Sequence, residues 1–149
     1  MNTAEDLEHF LHEQIPLTAA MGVHVAECDD THIVLTAPLA LNHNHLGTAF
    51  GGSLHALATL SGYALLWWLL RRPHSHIVIR ESTMHYKRPV RGDLRAVCHT
   101  PDEKDLGRFR RDFAHKGKAR LTLKTILESD GEPAAKFEGV FVAVETSAR

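Results

Sequence analysis

The sequence predicts an α+β fold in which one antiparallel sheet wraps a single long, apolar helix. Three observations carry that prediction. The run from Gly52 to about Leu70 or Arg71 is apolar almost all round, and such a helix needs other elements covering it. Segments of alternating apolar and polar residues lie around it, two before and four after, the period of strands with one buried face. The chain has 149 residues, 44% hydrophobic and 23% charged. That is the size and usage of one ordinary globular domain, read as residues 1–149.

The elements follow in chain order. "TAEDLEHFLHEQIP" reads as a short opening helix with Thr3 as cap and Asp6 three residues on. Leu7, Phe10 and Leu11 make its apolar stripe, and Pro16 ends it or follows its end. "GVHVAECDDTHIVLTAPLA" reads as a hairpin. Val23, Val25 and Glu27 share one face, Asp29-Asp30 turn, and Ile33, Leu35 and Ala37 return. "LNHNHLGTAFGG" is a polar, glycine-bearing loop. The central helix then spans roughly 30 Å at 1.5 Å per residue. Ser53 is one candidate N-cap, Arg71 and Arg72 suit the negative end of its dipole, and Pro73 stops it. In "HIVIRESTMHYKRP" strict alternation puts Ile77, Ile79, Glu81, Thr83 and His85 on one face, with Val78, Arg80, Ser82, Met84 and Tyr86 on the other. "GDLRAVCHTP", "KARLTLKTILES" and "AAKFEGVFVAVE" are three more strands, with Asp130-Gly131 a hairpin turn between the last two. "DEKDLGRFRRDFAHKG" interrupts the sheet as a short helix or a long loop. One chain has too little sheet to cover the helix, so a homodimer that continues the sheet across long edge strands is expected.

Bulk properties narrow the function. A formal net charge of -1 gives no global field for nucleic acid or an anionic membrane. Cys28 and Cys98 are far apart and form no CxxC, which favours a reducing cytoplasm over a disulfide scaffold. The acidic, amphipathic N-terminus lacks the pattern of a signal peptide. Leu54–Leu70 holds a histidine, a threonine, a serine, a glycine and a tyrosine, and is read as a buried helix rather than a membrane span. The 12 histidines include His43-x-His45 and His74-x-His76. Neither pair has helical spacing with a glutamate or a completing ligand cluster, so no metal is expected.

The order of elements, with "NHLGTAFGG" leading into the helix, resembles the hotdog fold of acyl-CoA thioesterases. The pattern N-x-x-G-T-x-[HF]-G-G is carried by Asn44, Gly47, Thr48, Phe50, Gly51 and Gly52. "YKRPVRGD", Tyr86 to Asp93, is similar to the family's strand ending in aromatic-x-x-Pro-x-x-Gly-Asp. The helix opening "FGGSLHALATLSGYALL" resembles the YiiD C-terminal thioesterase subgroup. The resemblance covers nearly the whole chain. It implies a thioesterase acting on an acyl-CoA or acyl-carrier-protein substrate as a homodimer, with a tetramer open, and no cofactor.

Thioester hydrolysis passes through a tetrahedral oxyanion that fixed N–H donors must receive. Helix N-termini leave such donors unpaired and favour negative charge. The carbonyl oxygen is therefore expected at the N–H of Gly51, with Gly52 or Ser53 as its neighbour and Phe50 beside them. Gly47 is read as a turn residue. The resemblance gives Asn44 a role in placing water or the carbonyl, against an Asx-turn in a polar loop. Many relatives carry Asp or Glu eight residues after the first glycine of the pair; here that position is Thr59. Thr59 orients a water or simply bonds back to its own helix. His55, one turn earlier, either takes a proton from Thr59 or its water, or is a satisfied histidine at the dimer seam. The resemblance brings the strand after the helix up to the partner's active site in the dimer; only one of Glu81 and Ser82 can face the helix, and Glu81 is the one chosen as catalytic, reaching across. Among the basic residues, Arg88 and Arg91 are the candidates for the CoA phosphates. Trp67, Trp68 and their leucine neighbours are core, at an end of the helix that could floor an acyl tunnel. The missing helix carboxylate keeps a second reading open, a module that binds acyl thioesters without hydrolysis. A hotdog dehydratase is disfavoured because "DxNxxH" is absent.

Overall fold

A computed structural model describes residues 3–72 and 74–146, so the expected stop at Pro73 lies outside the described residues. The opening helix α1, Ala4–Gln14, starts at a capping box: Thr3 Oγ1 accepts from Asp6 N at 3.1 Å, and Thr3 N donates to Asp6 Oδ2 at 3.2 Å. Its stripe buries Leu7 and Leu11 completely. Pro16 separates α1 from a second short helix, α2, Pro16–Met21, in which proline occupies the first turn and Gly22 is a left-handed C-cap. Proline thus ends one helix and begins the next. Strand β1, His24–Cys28, and strand β2, His32–Ala37, form the expected hairpin. Glu27 does not share the face of Val25, because a bulge between them turns its side chain outward. In the turn, Asp29 Oδ1 accepts from the hydroxyl and amide of Thr31 and from His32 N. The Thr31 hydroxyl, then its amide, hold this carboxyl down at about 2.

Helix α3, Gly51–Leu70, is the central rod. By length and composition it could cross a membrane. Here Leu57, Ala58, Ala64, Leu65 and Leu66 are fully buried against the sheet. Its N-cap is Phe50 rather than Ser53, and Arg71 closes it in a left-handed conformation. Arg71 lies over the Trp68 ring and reaches Asp30, which also accepts from Trp68 Nε1. Strands β3, Ser75–Tyr86, and β4, Leu94–His99, follow. The ambiguous basic segment is a helix, α4, Glu103–Lys116, capped by Asp102 and ended by Gly117. Strands β5, Lys118–Ser129, and β6, Glu132–Glu145, meet at Asp130-Gly131, both with positive φ as the turn requires.

The six strands form one antiparallel sheet in the order β1-β2-β4-β5-β6-β3. β4 covers only the C-terminal half of β5, Arg95–Cys98 against Thr125–Glu128. α4 lies along the other half and buries Leu106, Phe109 and Phe113 there. α3 packs across one face of the sheet, against β2, β3, β4, β5 and β6. Gly62 meets the Phe141 ring directly, and Ser61 Oγ bonds Thr125 Oγ1 across the helix–sheet seam at 2.8 Å.

β3 departs from simple alternation. Ile79 pairs with Phe141, but Glu81, not Arg80, pairs with the next residue, Val140. The surplus residue is a bulge and reverses the faces of everything after it. Ser82, opposite Gly139, and Met84, opposite Phe137, therefore face the helix with Ile77 and Ile79. Glu81 faces the far side of the sheet.

Candidate functional site

The loop before α3 is built from backbone bonds. Asn42 O accepts from Phe50 N at 2.8 Å, and His43 bridges Ala49. Asn44 closes the tip. Its Oδ1 accepts from Leu46 N at 2.8 Å and Thr48 N at 3.2 Å, its Nδ2 donates to Thr48 Oγ1 at 2.9 Å, and Gly47 takes the positive φ. Both ends of the Asn44 carboxamide are thus committed inside its own turn. It shapes the loop, and Thr48 Oγ1 takes one of the two Nδ2 hydrogens.

A neighbouring asparagine, which sequence reasoning passed over, anchors the loop. Asn42 is buried, and its Nδ2 donates to Met21 O at 2.9 Å and Pro38 O at 2.8 Å. These bonds tie the ends of α2 and β2 to the entry of α3.

The second sequence motif fastens the first. Tyr86 hydroxyl donates to Gly51 O at 3.1 Å, Ala49 N donates to Val90 O at 2.8 Å, and Asp93 Oδ1 accepts from Leu39 N at 2.9 Å. The Pro-x-x-Gly-Asp turn is therefore the brace behind the glycine turn. Arg88, placed there as a phosphate ligand, is occupied: its guanidinium donates to Pro133 O at 3.1 Å and pairs with Glu132 at 2.9 Å. Arg91 is exposed on the same turn.

At the start of α3, Ser53 N and Leu54 N donate to Phe50 O at 2.9 and 3.1 Å. This removes Ser53 as an amide donor to a substrate. Among the described residues the N–H groups of Gly51 and Gly52 have no acceptor. The Phe50 ring covers Gly52 so closely that a Cβ there would collide with it, and the Tyr86 ring would lie 3.4 Å from a Cβ at Gly51. Two unpaired amides thus lie at the positive end of the helix dipole, with an aromatic ring packed beside each glycine.

From Gly52 a cleft of about 510 Å³ runs along α3. Ala56, Leu60, Tyr63 and Ile79 line it from the helix and β3, and Ile15 and Leu17 from the start of α2. Burial raises the Tyr63 hydroxyl above its ordinary value. Beyond it, Tyr63, Trp67 and Phe10 stack, with centroids 6.3 and 4.9 Å apart.

Besides Tyr63, three polar side chains face this cleft: His55, Thr59 and Ser82. Thr59 Oγ1 donates to His55 O at 2.9 Å, the bond of a core threonine to its own helix. His55 does not turn its ring to Thr59. Its Nε2 lies 3.0 Å from Ser82 Oγ, and its ring meets Phe137 edge to face. Glu81, chosen from strict alternation, is absent from the cleft. It borders a separate hollow with Asp105, Arg108 and Arg120 on the far side of the sheet. The bulge is the reason, and Ser82 takes the inward position. Among the described residues no three His, Cys, Asp or Glu side chains gather as a metal site.

Residues 4–145 match the family described as "Putative thioesterase (yiiD_Cterm)". Among solved structures, a protein of unknown function from Chlorobaculum tepidum TLS is 32% identical, with a TM-score of 0.89 over 96% of this chain and 94% of that one. The "putative thioesterase from Shewanella oneidensis" is 29% identical, with a TM-score of 0.80 over 95% and 96% of the two chains. A Pseudomonas aeruginosa protein described as a "Probable Thioesterase" is 25% identical, with a TM-score of 0.81 over 96% of each. The paired glycine and Pro-x-x-Gly-Asp motifs, their mutual hydrogen bonds and this match over nearly the full length lead to one assignment: the chain is a hotdog-fold protein belonging to the YiiD C-terminal thioesterase family.

Proposed function

We propose that this thioesterase hydrolyses an acyl-CoA or acyl-carrier-protein thioester in the cleft along α3, and that the N–H groups of Gly51 and Gly52 receive the carbonyl oxygen. The observation that carries this reading is the pair of unpaired amides, Gly52 in the lining of an apolar cleft and Gly51 next to it in the chain. Donors fixed at a helix N-terminus stabilise the developing oxyanion without reorganising, and the space a Cβ would need at these glycines is taken by the Phe50 and Tyr86 rings that hold the turn. The acyl chain lies along Ala56, Leu60 and Ile79 and ends against Tyr63. Exposed Arg91 is the better candidate for the nucleotide phosphates, since Arg88 would first have to release Glu132. The working particle is a homodimer paired through β3, which is a 12-residue edge strand with Val78 and Ile79 exposed. Free Cys28 and Cys98 support a reducing, cytoplasmic setting.

A panel of acyl-CoAs with a thiol-trapping dye tests the reading. Wild type is expected to release free CoA. Gly51→Pro, which removes one amide at a helix position that accepts proline, is expected to lower kcat by about 10²-fold or more with its melting temperature little changed. The cleft lining contains no Asp or Glu, and this favours the second reading, an acyl-thioester-binding module. Tight binding with no turnover on any substrate decides for that module.

A further inference from the structure

We propose that Ser82 is the nucleophile of this site and His55 its general base. The inference rests on the thioesterase reading of the cleft. Three observations converge on it. Ser82 Oγ and His55 Nε2 lie within hydrogen-bond reach, 3.0 Å apart, and both face the cleft. A hydroxyl and an imidazole so placed are the pairing that activates a serine. Thr59, the other hydroxyl on the helix side of the cleft beside His55, is spent on its own backbone. The unpaired amides of Gly51 and Gly52 precede His55 by three to four residues on the same helix, roughly 5 Å along its axis. Gly52 lines the same cleft as Ser82 and His55, so the proposal places the thioester carbonyl between that hydroxyl and those donors. The β3 bulge is what delivers the hydroxyl; without it, Glu81 would occupy the inward position. Phe137 packs edge-on against the imidazole and fixes the ring where other sites use a carboxylate.

The steps balance without any co-reactant besides water. Ser82 Oγ bonds to the thioester carbonyl carbon while its proton passes to His55 Nε2. The carbonyl electrons move to the oxygen, held by the Gly51 and Gly52 amides. As the intermediate collapses, the C–S bond breaks and His55 returns the proton to the leaving thiolate. This gives a free thiol and an acyl ester on Ser82. Water then attacks the ester carbonyl, His55 takes its proton, the C–O bond to Ser82 breaks, and Ser82 Oγ is reprotonated. The products are a carboxylic acid and the restored serine.

The test uses the full chain with an alkyl fluorophosphonate and peptide mass mapping, beside the acyl-CoA assay. The expected result is an adduct on the peptide carrying Ser82, absent in Ser82→Ala and at least about tenfold slower in His55→Gln. Ser82→Ala is also expected to lose about 10²-fold or more in kcat, with unchanged affinity for a non-hydrolysable thioether analogue of acyl-CoA. Adduct formation without thioester turnover supports the pair and removes the hydrolase reading beneath it. Turnover with no adduct at Ser82, and a wild-type kcat in Ser82→Ala, overturns the pair and leaves the hydrolase reading standing.

Discussion

Gly62 sits in the middle of α3, where helix propensity alone would prefer alanine by up to about 1 kcal/mol. The Phe141 ring forbids it. A Cβ at Gly62 would lie 2.5 Å from Phe141 Cζ, and that ring is fully buried with Gly139 behind it. Overpacking of this kind costs about 1–3 kcal/mol. Gly62→Ala is therefore expected to destabilise the protein by about 1–2 kcal/mol net, read from urea unfolding; a neutral or stabilising result would show that Phe141 can yield. No pattern in the sequence marks Gly62, because its constraint comes from a residue 79 positions away. The same limit separates Asn42 from Asn44. Asn44 stands in a recognisable motif and turns out to shape its own loop, whereas Asn42, in the same polar stretch, is the buried anchor. Side-chain burial in a loop depends on what packs over it, and residue order does not encode that locally.

Whole elements were more legible than single residues. The long helix and the last hairpin announce themselves through apolar run length, alternation and Asp130-Gly131, all local signals. α2 was hidden because proline at a first helical turn looks like proline as a stop. The bulge in β3 was hidden because its letters alternate without interruption; only pairing with β6 reveals the surplus residue. How α3 is seated on the sheet is likewise a tertiary matter, and the Ser61–Thr125 bond marks its register. Both residues are fully buried, and Ser61 also donates to Ala58 O. Ser61→Ala leaves the Thr125 hydroxyl with only the Cys98 thiol as side-chain partner and is expected to cost about 1 kcal/mol. Adding Thr125→Val should recover part of that loss, so a double-mutant cycle from denaturant unfolding gives a favourable coupling energy. Additive losses would mean that the two hydroxyls do not act together.

The two motifs that mark the family are distant in sequence and fastened to each other in space through Tyr86 and Gly51, and through Ala49 and Val90. That fastening links the reactive end of α3 to β3, the strand proposed to join two protomers. Light scattering is accordingly expected to give a particle of twice the 16.6 kDa chain mass. Lysine at Val78, which is exposed on this edge and outside the cleft lining, should shift it toward monomer and lower thioester turnover in parallel. A fully active monomer would remove the pairing. The extra residue at Arg80 bears on how such proteins diverge. Two adjacent letters, an acid and an alcohol, compete for one inward seat, and a kink in the pleat chooses between them. Were that kink to heal by slippage, the reactive group would be exchanged with no mutation at all. In this chain, which group meets the cleft is set by backbone irregularity as well as by residue identity.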